Sequence, residues 1–138
     1  DVVLHDQVNL GFAVDTDAGL MVVVVDAADD RTTADIGDQF ERLASAARNR
    51  TITADGATGQ TFTISNIGAL GGGHGTPIIP LGTSAILSVG RAAEQPVVVD
   101  GALAVGLVAP IDLSYDHRLI DGGLGQRFLA DLAAALEA

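Results

Sequence analysis

Leu20-Met-Val-Val-Val-Val25 does most to restrict the architecture open to this chain. Six consecutive apolar residues, four of them valine, suit a strand, because β-branching stiffens χ1 and packs well on a pleated surface. The run falls far short of the ~18–20 apolar residues of a membrane helix. No polar residue interrupts it, which predicts a strand in a sheet covered on both faces. Val8 to Val14 supplies its antiparallel partner, with Asp15-Thr-Asp-Ala-Gly19 as the connection.

Beyond this hairpin, Ile36, Phe40, Leu43, Ala44 and Ala47 recur at helical spacing and predict an amphipathic helix over Thr33 to Arg48. Asp55 to Gly59 reads as a turn. Thr61 to Asn66 alternates as a strand, Phe62 and Ile64 facing one way and Thr61, Thr63 and Ser65 the other. Gly68 to Gly75 is too rich in glycine for regular structure and predicts a loop that is mobile or lets a ligand run close to backbone. Ala85 to Val89 is a strand, and Val97 to Val105 a hairpin turning at Asp100-Gly101, a dipeptide that type I′ turns prefer. Leu107 to Tyr115 is strand-like, with Pro110 confining part of it to an edge or bulge. Gly123 to Ala138 sets Leu124, Phe128, Leu132 and Leu136 on one helical stripe. The sum is a single α/β (α+β, two-layer) domain with a mixed sheet and two helices.

Composition removes several functions. The formal charge is −11, and the seven basic residues are all arginine. Counterion release on a phosphate backbone needs clustered cations, so the balance argues against nucleic acid as a partner. Without lysine there is no Schiff-base chemistry and no Gly-Lys-Ser/Thr phosphate loop. Without cysteine there is no disulfide, thiolate zinc site or cysteine nucleophile, which fits a reducing compartment. His5 and His74 lack metal-ligand spacing, so no metal is expected. No membrane partner is expected either, and an opening on Asp1 rather than Met predicts a fragment or processed product.

Chemistry concentrates in Ser114-Tyr-Asp-His-Arg-Leu-Ile-Asp-Gly122, where a histidine, two carboxylates and an arginine follow an apolar strand. A loop histidine is ordinarily structural or simply solvated. Here Asp116, Arg118 and Asp121 surround His117 at a sheet edge, an arrangement that can present a general base. Asp121 also suits the N-cap of the last helix, and Arg118 reads as a local ion-pair partner. Ser65 by itself is an ordinary hydroxyl on a half-exposed strand, and no Gly-x-Ser-x-Gly elbow supports a serine hydrolase. The Gly68–Gly75 loop precedes no helix start, so a dinucleotide fingerprint fails.

Taken together, Thr61-Phe-Thr-Ile-Ser-Asn-Ile-Gly68, Thr76-Pro-Ile-Ile79, Ala85-Ile-Leu87 and Ser114 to Gly122 resemble the catalytic domain of the 2-oxoacid dehydrogenase acyltransferases, the E2 components. Val8 to Asp15 with Gly19-Leu20 looks like that domain's earlier hairpin. The resemblance implies a chloramphenicol-acetyltransferase-like fold, of which residues 1–138 are the C-terminal portion. Lipoyl and subunit-binding domains and the rest of the catalytic domain would precede residue 1. It implies a homotrimer assembling into a larger core, active sites between subunits, and E1 and E3 partners held through the absent domains. It implies transfer of an acyl group between dihydrolipoamide and coenzyme A, the lipoyl group arriving on a domain this chain lacks. By the same resemblance His117 is the base, Ser65 the oxyanion donor and Asp121 the residue steadying the histidine loop, while Asn66, Gly68 and Arg118 contact substrate. The compartment implied is the bacterial cytoplasm or, in a eukaryote, the mitochondrial matrix.

Three features depart from the family pattern, one of them the glycine-rich Ala69–Gly75 stretch, which is expected to be more flexible than the usual version. Val23 stands where the family usually has proline, and Pro80-Leu-Gly82 stands in place of Asn-Pro-Pro.

Overall fold

The computed structural model describes residues 2–138. The hairpin forms from β1 (Leu10–Thr16), shifted two residues along from the expected strand, and β2 (Gly19–Val25), one residue longer than its apolar run. Only Asp17 and Ala18 remain between them. Gly19 at φ 106° and a 2.6 Å hydrogen bond from Thr16 Oγ1 to the Gly19 carbonyl close this turn. Then come α1 (Thr33–Arg48), β3 (Phe62–Asn66) and β4 (Ala85–Val89). A separate ribbon of β5 (Ala93–Val99) and β6 (Ala102–Val108) precedes β7 (Ile111–Tyr115) and α2 (Gly122–Glu137). Single 3-10 turns lie at Ala28–Asp30, Ala54–Gly56 and Gly68–Leu70.

The main sheet has the order β2-β1-β3-β4-β7. β1, β3 and β4 are parallel to one another, and β2 and β7 run antiparallel at the two edges. The valine run therefore ends on an edge strand, against the expectation of a sheet covered on both faces. Val23, Val24 and Val25 are buried, but Leu20 is 73% exposed, because α1 covers only part of β2.

Both helices lie on the same face. α1 starts with a reciprocal cap, Thr32 Oγ1 accepting from the Asp35 amide and the Asp35 carboxylate from the Thr32 amide. Its apolar side buries Ala44 and Ala47 against Val14 and Val23, flanked by Phe12, Phe40, Leu43 and Ile52. The Phe12 and Phe40 rings sit 5.0 Å apart. α2 packs over β3 and β7, with Phe128 5.7 Å from Phe62. Gly125 lets it approach so closely, since a Cβ there would stand 2.8 Å from the Tyr115 ring. This is the two-layer α/β arrangement the sequence predicts.

The opposite face carries Thr63, Ser65, Ile86, Ser88, Asp112 and Ser114, matched across strands by register. Its cover is not a helix but the connection 67–84, which returns the chain from the end of β3 to the start of parallel β4. Thr63 is 1% exposed on this face, its hydroxyl facing Gly11 of β1 and without a hydrogen-bond partner. Alternation had put Thr63 on a polar side, and it is instead a buried one.

The β5–β6 hairpin turns at Asp100-Gly101 as expected, with φ of 51° and 80°, but it begins at Ala93 and continues to Val108. Leu107 thus belongs to β6, and the predicted strand from Leu107 to Tyr115 is broken at Ala109-Pro110. The ribbon lies outside the main sheet and exposes Val98, Val99, Leu103, Val105 and Leu107.

Candidate functional site

β7 delivers the chain out of the sheet at Tyr115, and a tight loop follows. The Asp116 amide donates to the Ser84 carbonyl at 2.8 Å, and the Asp116 carbonyl accepts from the amides of Leu119 and Ile120. Within the loop, Asp116 accepts from the Arg118 amide and guanidinium, Nε at 2.9 Å and NH2 at 2.6 Å. That grip, the guanidinium bonds foremost, lowers the Asp116 carboxyl to about 2. His117 is the exposed residue between them, its ring 5.7 Å from that of Tyr115. Clefts beside the loop are lined by Val2, Asp116, Arg118 and Leu119, and by Val2 to His5 with Thr61 and Gly82 to Ser84.

Asp121 is the N-cap of α2, as predicted, accepting from the Leu124 amide at 2.7 Å. Its carboxylate thus fixes where the helix starts and so where the loop ends. Arg118 is the ion-pair partner predicted from its position.

Ser65 occupies a different place. In β3 it pairs in register with Ser88, and Ser88 pairs with Asp112, making one row across three strands. Tyr115 lies three residues further along β7, about 10 Å, before the chain even reaches His117. Asn66 and Gly68 group with Ser65 at this end. Asn66 Oδ1 accepts from the Ala69 amide, and Gly68 is enclosed by backbone, its carbonyl accepting from Arg91 Nε. A Cβ at Gly68 would meet the Arg91 amide nitrogen at 2.6 Å, so another stretch of the same chain passes close by that position. The predicted residues fall into two groups at opposite ends of the sheet, Ser65 with Asn66 and Gly68, and His117 with Arg118 and Asp121.

The glycine-rich loop differs from its expectation. It is fastened at many points: Gly72 donates to the Ile67 carbonyl, Arg91 donates to the Gly72 carbonyl, and a Cβ at Gly90 would fall 2.0 Å from the Gly73 carbonyl oxygen. Its glycines serve backbone packing. At its end two residues that sequence reasoning passed over come together, His74 Nδ1 and Asp112 Oδ1 at 2.9 Å. The Gly75 amide donates to the other oxygen of Asp112, also at 2.9 Å. Those bonds, Gly75 first and His74 second, hold the Asp112 carboxyl below its ordinary range. Thirty-eight residues separate the pair, so no local motif announces it.

Among the described residues no cluster of three or more His, Cys, Asp or Glu is arranged to hold a metal ion, and no helix is long and apolar enough to cross a membrane.

Comparison with known proteins gives a consistent result. A family model described as 2-oxoacid dehydrogenases acyltransferase (catalytic domain) matches residues 1–138. A dihydrolipoyllysine-residue acetyltransferase component of the pyruvate dehydrogenase complex from Staphylococcus aureus is 48% identical over 118 residues, 86% of this chain and 27% of the relative. The chain thus spans about a quarter of the length of such curated relatives. Dihydrolipoamide acetyltransferase (E2p) of Azotobacter vinelandii superposes with a TM-score of 0.92 at 39% identity, covering 97% of this chain and 55% of that one. That structure comes from a study of the role of a serine, a histidine and an asparagine in its catalytic mechanism. The cubic core of a pyruvate dehydrogenase multienzyme complex superposes at 0.91 and 39% identity, covering 96% and 54%.

Proposed function

We propose that this chain, which belongs to the 2-oxoacid dehydrogenase acyltransferase family through its catalytic domain, moves an acyl group between dihydrolipoamide and coenzyme A. One observation carries the reading. In the Azotobacter enzyme the serine and histidine of the catalytic study lie fifty-two positions apart, and the histidine and asparagine four. Ser65, His117 and Asp121 repeat both intervals. The relatives are named acetyltransferases, which favours acetyl as the group carried.

Chemically, the reaction needs a base and an oxyanion donor. A thiol with pKa near ~8.5 is mostly protonated at neutral pH. His117 accepts the proton of the attacking thiol, and the sulfur bonds to the thioester carbonyl carbon. Ser65 donates a hydrogen bond to the oxygen where negative charge collects. When that charge returns to the carbon, the bond to the departing sulfur breaks and His117 passes the proton to that sulfur, leaving it as a thiol. Asp121 acts on the histidine through the loop end it caps.

No single protomer performs this sequence, because its Ser65 and His117 lie at opposite ends of the sheet. A site shared between subunits supplies both, which is the arrangement a homotrimer of this family provides. The unpartnered β5–β6 ribbon, with its exposed valines and leucines, offers such a trimer apolar surface to bury. Assembly into a larger core, as in the cubic-core relative, and recruitment of E1 and E3 through other domains complete the proposal.

The test is turnover of acetyl-CoA with free dihydrolipoamide by the full-length protein. His117→Ala is expected to lose roughly 10²–10⁴ in kcat while assembly by light scattering is unchanged. An unaltered rate, or an inactive parent, would mark the chain as a core-building scaffold instead.

A further inference from the structure

Among the described residues the connection 67–84 crosses the Ser65 face at Ser88 and Asp112, and Asp112 is its last hydrogen-bonded attachment to a sheet strand before residues 76–79. Before that point the connection is tied repeatedly, through Ile67, Gly68 and Gly72 to Val89 and Arg91. After it comes the stretch 76–79 with no hydrogen bond to the sheet among the described residues, until Pro80 and Thr83 close a turn. Ile78 on that stretch and Leu81 in the turn stand almost fully exposed. Asp112 meets two consecutive residues, one oxygen on the His74 ring and the other on the Gly75 amide. With Asp112 ionised, His74 Nδ1 carries the proton and Nε2 is left to solvent, in keeping with a side chain 80% exposed.

The attachment bears on Ser65 because Asp112 ends the same cross-strand row. Gly75 lies against the middle member, where a Cβ would approach Ser88 Oγ to 3.3 Å. The height of the cover above Ser88, and so the space open beside Ser65, is set where Gly75 is held. We propose that Asp112 and His74 are positioning residues for the Ser65 half of the site, clasping the connection so that an acyl oxygen meets the serine hydroxyl at hydrogen-bond distance. The proposal rests on the acyl-transfer reading above.

Steady-state kinetics and amide exchange on the full-length protein test it together. Misplacement by a fraction of an ångström weakens a transition-state contact, so Asp112→Ala should lower kcat roughly tenfold with KM for coenzyme A within about twofold. Asp112→Asn keeps an acceptor for the Gly75 amide and should recover most of that loss. In a Ser65→Ala background, Asp112→Ala should cost nothing further, because the contact it adjusts is gone. Exchange at Gly75 should accelerate at least about tenfold in Asp112→Ala and stay near the parent rate in Asp112→Asn. A full kcat with unchanged exchange in a folded Asp112→Ala overturns the clasp. An equal loss with and without Ser65 overturns its link to the serine. If the parent shows no transfer, the reading of the reaction fails by itself, and Gly75 exchange still decides whether Asp112 holds the connection.

Discussion

Ser65 and His117 are separated by the length of a sheet: Ser65 shares a row with Asp112, and His117 lies five residues past Asp112, beyond the sheet's other end. For a hydroxyl and an imidazole so placed to act on one carbonyl, as proposed, they would have to come from two protomers. Mixed assemblies made from Ser65→Ala and His117→Ala protomers are therefore expected to regain activity that neither variant shows. With equal amounts and random association, about a quarter of the sites draw an intact serine from one protomer and an intact histidine from another. Turnover of the co-assembled mixture measures this. Activity no greater than the sum of the two parents would place both residues in a single protomer.

Asp121 caps α2, and substitution separates that duty from the catalytic one proposed for it. As an N-cap it is worth about 1 kcal/mol, and asparagine caps equally well. Asp121→Ala should lower the thermal midpoint, whereas Asp121→Asn should leave it unchanged. Asparagine is also the residue of the catalytic study on the Azotobacter relative. Turnover of Asp121→Asn close to the parent's would assign the role to hydrogen bonding. A large loss with a normal midpoint would assign it to the negative charge.

The Asp116–Arg118 pair sets an acid limit on the histidine loop. Its carboxyl, lowered from 3.8 to about 2 first by the Arg118 side chain, takes up a proton later in the folded chain than in the unfolded one. The contribution is thus present above the unfolded value and lost as pH falls through about 2. Carbon-13 titration of Asp116 should show a midpoint near that value, moving up toward the ordinary aspartate range in Arg118→Ala. An equal midpoint in the two proteins would dissolve the pair.

Much of this was legible in the residues. The α1 boundaries follow from apolar spacing, the ribbon turn from Asp100-Gly101, and the α2 start from Asp121. What was not legible depends on contacts distant in sequence. A continuous apolar run looks the same on an edge as in a centre, since periodicity does not count the neighbouring strands. Glycines at 68 and 90 look like flexibility until the backbone that presses on them is known. His74 with Asp112 had no motif to betray it, and the burial of Thr63 depends on which strand lies beside it. The histidine motif was readable because its chemistry is contiguous, whereas its division from Ser65 is a property of strand order alone.

The contact between Gly90 and Gly73 also has a bearing on engineering. A methyl group at position 90 would overlap the carbonyl it faces, so side-chain diversity at the root of the connection is closed off. Side-chain variety is better directed to Thr76, Ile78 and Leu81, which are exposed. There, chemical variety costs the scaffold least.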